Sequence, residues 1–286
     1  MLFREENTLR YVLMFPKSKN DEKLHRKHKR QLEISMAIDA IKNLQKNTQG
    51  KKNCKDVNVL EFGCGDGFQI PYLKQIGTVV ASDVYRGDLK DIQDIEFVKC
   101  DIINTPFEDG FFDVIYSNHV VEHVENLDEA FGELIRIGDD TCIYAFSVPT
   151  NIWLLLSLPA QYLSKAKTFL GLLWSKYFAS NNTNKPPLID INVNEVKNDK
   201  SRLEKLIELV APSGHGVTES YIECYKNFRV ESWYKLFSDN GFSIVETKPL
   251  LLYGPSEWPL IPISKCKFGL SSSVLFLMVK RPTSQS

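Results

Sequence analysis

The chain has 286 residues, 43% of them hydrophobic and 25% charged, with a formal net charge of −1. That length supports a sizeable core in one enlarged domain or two small ones, and the composition is that of a globular protein. The near-neutral balance excludes the overall basic field that marks a nucleic-acid binder.

In chain order, Arg4, Glu5 and Glu6 interrupt the start too early for a secretory leader. From Asp21 to Lys46 apolar residues recur at helical spacing, which predicts a helix preceding the core fold. The basic run Lys23 to Arg30 (KLHRKHKR) within it reads as a solvated helix face. Short apolar runs then alternate with helical stretches. Strands are expected at Val57 to Phe62, Thr78 to Ser82, Ile95 to Lys99, Phe112 to Ser117 and Thr141 to Val148. Helices are expected near Phe68 to Ile76 and between the fourth strand and Ile137. This rhythm specifies a parallel sheet covered on both faces.

From about Thr150 to Asn227 the rhythm stops. An apolar stretch, Ile152 to Phe178, is broken by Pro159, Gln161, Lys165 and Lys167, which disfavours a membrane span of about 20 apolar residues. A polar loop (Ser180 to Pro187), a charged helix near Asn194 to Val210 and a Gly-rich turn follow. A helix over Val230 to Asn240 and two strands, Phe242 to Thr247 and Ser273 to Val279, close the fold. Six widely separated cysteines without a CxxC pair argue against a zinc cluster or a disulfide framework, and fit reduced thiols in cytoplasm.

The chemical signal is Glu61-Phe-Gly63-Cys64-Gly65-Asp-Gly67, set between a strand and a helix. Glycines let the backbone turn sharply and approach a ligand closely. A dinucleotide fingerprint needs a small residue at the next position, where this chain has Phe68. That disfavours a nicotinamide-dependent oxidoreductase and favours a nucleoside cofactor without a pyrophosphate. Asp83 ends the second strand, where a carboxylate can accept both ribose hydroxyls; Asp101 ends the third, within reach of an adenine amino group. Both stand where open α/β sheets bind ligands, and Val84 and Ile102 beside them can sandwich the adenine ring.

With VLEFGCGDG (Val59 to Gly67), Asp83, Asp101-Ile102 and FDVIYSNHVVEHV (Phe112 to Val124), the sequence resembles the class I S-adenosylmethionine (AdoMet)-dependent methyltransferases of the small-molecule type. The resemblance implies AdoMet as cofactor, with Gly63 and Gly65 lining its methionine moiety, Glu61 acting behind the loop, Asp83 on the ribose and Asp101 at the adenine. It covers Val57 to Val148 well, extends over Val230 to Val279, and is absent from the insertion. The implied fold is α/β: a doubly wound, seven-stranded, mostly parallel sheet of the Rossmann-like methyltransferase kind, with an N-terminal helix and a largely helical lid insertion. The domain boundaries expected are 1–50 for the helical extension, 51–150 for the AdoMet-binding core, 151–227 for the lid and 228–286 for the rest of the sheet.

Ser117, Asn118 and His119 form the rim beside the expected sulfonium, Ser117 and Asn118 among the cofactor contacts. Methyl transfer needs alignment and, for a hydroxyl acceptor, a base titrating near neutrality. His119 is the first candidate, His215 in Pro212-Ser-Gly-His-Gly216 the second and His123 the third. His123 is more often a packed helix histidine. His119-Val-Val-Glu122-His123 also matches the H-x-x-E-H pattern of zinc peptidases, but it leaves a parallel strand, so no metal is expected. The planar-amine motif N/D-P-P-Y is absent, replaced by Ser117-Asn118-His119-Val120. The expected acceptor is therefore a small molecule, sugar or lipid-linked compound methylated on oxygen, not a nucleic acid. The segment 152–178 is expected as lid core or dimer face, with a peripheral membrane contact as its alternative. A non-catalytic AdoMet-binding partner subunit is the rival reading of the whole chain.

Overall fold

The computed structural model describes residues 19–48, 56–85, 95–181, 212–218, 220–254, 261–262 and 270–282. The polar loop over 182–187 and the charged helix expected near Asn194 to Val210 lie outside them. Strands β1 (Asn58–Phe62), β2 (Thr78–Asp83), β3 (Glu96–Lys99), β4 (Phe112–Asn118), β5 (Gly138–Pro149), β6 (Phe242–Pro249) and β9 (Ser273–Lys280) form one seven-stranded sheet in the order β3-β2-β1-β4-β5-β9-β6. A two-stranded hairpin, β7 (Leu251–Leu252) with β8 (Ile261–Pro262), stands apart. β3 to β5 pair in parallel through β2, β1 and β4, while β9 runs antiparallel between β5 and β6. The seven strands and their order of appearance are those the apolar runs predict.

β1, β2, β4, β5 and β9 are buried on both faces over most of their length, as their apolar character requires, while the edge strands β3 and β6 are partly exposed. One face is covered by α1 (Lys19–Thr48) and α2 (Ile70–Leu73), with Ile34, Ile38, Ile41, Ile70 and Leu73 packed on Val59, Val114 and Ile143. The other is covered by α3 (Leu127–Ile137) and α6 (Val230–Asp239). In α3 the residues Ala130, Phe131, Leu134 and Ile137 are buried at helical spacing, and Asn126 caps the first turn by accepting from the Glu129 N–H. In α6, Trp233 and Phe237 face inward one turn apart, and the Trp233 indole donates to the Pro149 carbonyl at 2.9 Å. That bond ties the last helix to the end of β5.

One expectation needs correction. The basic run is not a fully solvated face: His25 and Lys29 are 4% and 8% exposed. α1 lies along the sheet and makes part of the core, so residues on its inner side are covered whatever their charge. α4 runs from Asn151 to Asn181 through Pro159. α4 packs Leu154 into the core but leaves Leu163, Leu170 and Trp174 largely exposed. No helix among the described residues is long and apolar enough to cross a membrane. α5 (Tyr221–Asn227) follows the loop 212–218 and leads into α6.

Candidate active site

The carboxyl ends of β1, β2, β3 and β4 open onto one cleft of about 650 Å³. Gly63, Asp83, Val84, Asp101, Ile102, His119 and His123 line it, together with Phe62, Ser82 and Tyr85. Five of the eleven expected cofactor residues thus stand on its wall. Glu61, Cys64, Gly65, Gly67, Ser117 and Asn118 lie just behind it or on the loop.

The glycine loop is held onto the neighbouring strand end: the Gly63 and Cys64 N–H groups both donate to the Ser82 carbonyl, at 2.8 and 3.1 Å. Gly63 has φ +70°, and a Cβ there would come within 2.3 Å of the Val120 side chain. Glycine is therefore required twice over, by backbone conformation and by space. Asp83 spans two loops. Its Oδ2 accepts from the Gly65 N–H at 2.9 Å and its Oδ1 from the Tyr85 N–H at 3.1 Å, which holds the carboxylate at the cleft wall. Asp101 lies just beyond β3 and accepts from the Ile103 N–H at 3.3 Å. The loop leaving β3 is braced from α3: Glu133 accepts from the Thr105 N–H at 2.8 Å and from the Arg136 guanidinium at 2.7 and 2.8 Å. The Arg136 guanidinium beside it, assisted by Thr105, holds the Glu133 carboxyl down at about 2 despite some burial.

Glu61 is 2% exposed and its Oε2 has no hydrogen-bond partner. Burial pushes its carboxyl well above the usual range, with Arg30 opposing. The Ser117 hydroxyl and the Asn118 Oδ1 are also buried without partners. Three orphaned polar groups around a glycine loop suit a ligand bearing an ammonium and a carboxylate, since each otherwise costs about 1–3 kcal/mol. The donor set and the strand-end acids suit AdoMet, which carries both a nucleoside and an amino acid.

A contribution invisible in the local motifs comes from α1. Arg30 forms a two-pronged pair with Asp66 of the glycine loop at 2.6 and 2.8 Å, and its guanidinium lies 4.4 Å over the Phe68 ring. The Arg30 guanidinium beside it holds the Asp66 carboxyl below the usual carboxylate range. One turn away, Lys29 and Glu33 pair at 3.4 Å, the Ser273 hydroxyl donates to Glu33 at 2.6 Å, and Lys29 sits over the Tyr253 ring. Burial alone would raise Glu33, but Lys29, His119 and Ser273 together hold it at about 2.

His119 sits where β4 gives way to a single 3-10 turn, Val121–His123, in the left-handed region at φ 57°. No other non-glycine among the described residues has positive φ, a conformation that costs free energy unless the surroundings enforce it. They do: its N–H donates to the Ser147 carbonyl at 2.9 Å, and its Nδ1 lies 3.3 Å from Glu122. Its Nε2 is 3.4 Å from the Tyr253 hydroxyl and 3.9 Å from Glu33. Burial and Lys29 push the imidazole pKa down, Glu122 and Glu33 push it up, and the net shift is upward.

A second cavity of about 150 Å³ adjoins the first, lined by Lys29, His119, Glu122, His123, Trp153, His215 and Tyr253 among others. His119 and His123 belong to both walls and mark the junction. His215 reaches this cavity because its loop packs on the turn after β4; its ring lies 4.8 Å from that of Trp153 and 5.1 Å from that of His123. Burial, then His123, lowers the His215 pKa against the pull of Glu122. The structure thus brings all three candidate histidines together. His123 is not the packed helix residue expected; it is exposed, because the chain there makes a 3-10 turn instead of an α-helix. For the same reason His119 and His123 do not share a helical face, and the H-x-x-E-H pattern lacks the geometry of a peptidase zinc pair.

The sheet order, with the glycine loop and the two strand-end acids at its carboxyl edge, is that of the Rossmann-like methyltransferase fold. More particularly, residues 60–142 match a family described as "Methyltransferase domain". A malonyl-[acyl-carrier protein] O-methyltransferase of Pectobacterium atrosepticum is 33% identical over 96 residues, which cover 32% of this chain and 38% of that protein. The chain thus matches well under half the length of this curated relative. Among solved structures, the plantazolicin methyltransferase BpumL in complex with SAH is 11% identical, covers 97% of this chain and 96% of that one, and superposes with a TM-score of 0.51. A Burkholderia thailandensis 1,6-didemethyltoxoflavin-N1-methyltransferase is 12% identical, covering 86% and 79%, with a TM-score of 0.47.

Proposed function

We propose that this protein methylates a hydroxyl or carboxyl oxygen of a small-molecule, sugar or lipid-linked acceptor. One observation carries the reading: the nucleoside-sized cleft and the smaller polar cavity meet at His119 and His123. AdoMet, bound in the larger cleft, supplies a methyl group already activated by a sulfonium. Asp83 would accept from the ribose hydroxyls and Asp101 from the adenine amino group, with Val84 and Ile102 available to flank the ring. Gly63 and Gly65 admit the methionine backbone, and Glu61, Ser117 and Asn118 supply its polar partners.

The acceptor enters the smaller cavity. His119, braced on one side by Glu122, presents Nε2 to it, and the long 3.4 Å contact with Tyr253 is the one an acceptor oxygen would replace. His215 orients the acceptor from the opposite wall. Support for oxygen over nitrogen comes from the missing planar-amine motif and from the O-methyltransferase relative, which is matched over 96 residues. The boundaries 1–50, 51–150, 151–227 and 228–286, the partner role of 152–178 and a cytoplasmic location belong to the same proposal.

The test is to incubate the protein with methyl-labelled AdoMet and a panel of hydroxy, carboxy and amino acceptors, and to follow S-adenosylhomocysteine release and labelled product by mass spectrometry. Oxygen-linked label supports the reading. Label on nitrogen alone, or no AdoMet binding by calorimetry, overturns it.

A further inference from the structure

Glu122, His123 and His215 each offer one ligand atom to a common space, and these three atoms lie within 4.8 Å of one another. Two come from the turn after β4 and one from the loop 212–218, so the set exists only through the tertiary fold. The Glu122 side chain is 1% exposed, and while its Oε1 is taken up by His119 Nδ1 at 3.3 Å, its Oε2 is buried with no hydrogen-bond partner. A buried carboxylate oxygen left bare costs free energy that a cation would recover.

The loop bringing His215 is not loosely placed. The Val217 N–H donates to the Glu122 carbonyl at 3.2 Å, and the Cys224 thiol donates to the His215 carbonyl at 3.6 Å. Two imidazoles and one carboxylate make a donor set suited to zinc and its first-row neighbours, and with three protein ligands a tetrahedral ion keeps one position open. Ligand atoms on a tetrahedral zinc stand about 3.3 Å apart, so rotation of the exposed His123 ring and a small inward movement of His215 complete the set.

We propose that Glu122, His123 and His215 bind a divalent first-row transition metal, zinc in the first instance. Its open position faces the smaller cavity, where an acceptor oxygen would coordinate. The site stands on its own geometry; only its use on the acceptor rests on the methyl-transfer reading. The H-x-x-E-H pattern therefore holds two ligands, Glu122 and His123, but the third comes from 92 residues further along instead of from His119.

The experiment uses the full chain, stripped with a chelator, titrated with Zn²⁺ by calorimetry and with Co²⁺ by visible absorption, without AdoMet. The expected result is one ion per chain, weakened at least about tenfold in His215→Ala and again in His123→Ala. Circular dichroism checks each fold, and His215→Gln substitutes should His215→Ala melt early. No uptake by the wild type, or undiminished uptake in folded His123→Ala/His215→Ala, overturns the site. AdoMet calorimetry on the same metal-free sample shows separately whether the cofactor cleft works, so the two readings fail independently.

Discussion

Gly216 lies directly against Glu122: a Cβ on Gly216, whose φ is +69°, would come within 2.1 Å of the Glu122 carbonyl oxygen. This is the contact through which the loop returning from the insertion is seated on the turn that follows β4. It makes the position of His215 depend on a backbone approach that only glycine permits.

Gly216→Ala should therefore push the loop outward. The expected outcome is destabilisation of about 1–3 kcal/mol by thermal melting. Methyl transfer falls, while AdoMet affinity by calorimetry holds within about threefold because the cofactor cleft is untouched. Full activity in this variant would mean that the loop does not position the acceptor.

Asp83 links the glycine loop to the loop after β2 and faces the cleft. Asp83→Ala is expected to weaken AdoMet binding at least about tenfold, or about 1.4 kcal/mol. Unchanged affinity by calorimetry would remove the ribose role.

Arg30 clamps α1 to the glycine loop through a two-pronged bond to Asp66, which is itself largely exposed. Partly exposed pairs contribute only about 0–1 kcal/mol to stability. Arg30→Ala should thus leave the melting temperature close to wild type yet lower AdoMet affinity, and Arg30→Lys should not rescue it, because lysine cannot reproduce the fork. A variant that loses stability but keeps cofactor affinity would contradict this.

His119→Ala removes the side chain at the junction of the two cavities. Turnover is expected to drop by about 10²-fold or more with little change in AdoMet affinity. Equal turnover would place proton acceptance elsewhere.

Glu133 provides the pH dependence. Its folded pKa of about 2 lies below the ordinary 4.5, so its contribution to stability is complete above pH 4.5 and is lost as pH falls toward 2. The melting temperature of Glu133→Gln should lie below wild type at pH 7, and the gap should close as pH drops through that window. A gap that persists at pH 2 would show that Thr105 and Arg136 are not held through the charge.

The wall of the larger cleft is legible in the sequence because it is local. Gly63, Asp83 and Asp101 each sit at a strand end, and strand ends can be read from apolar runs and punctuation. Phe68 was informative for the same reason, since it occupies a position defined by spacing alone. Of the smaller cavity only the three histidines are legible. Glu33 and Ser273 meet across 240 residues, and no periodicity shows that a basic, amphipathic-looking stretch would turn Lys29 and Glu33 toward His119. The exposure of His123 is not legible either, because the turn after β4 winds as a 3-10 helix, a difference of backbone geometry that residue types do not encode.

β9 lies between β5 and β6, so the sheet is completed only when a segment 124 residues beyond the end of β5 slots into place. Five parallel strands can assemble while synthesis is still under way, but they present an unpaired β5 edge until then. Such long-range closure is slow, and it makes the interval before β9 arrives the period when nascent chains are most exposed to mispairing with one another.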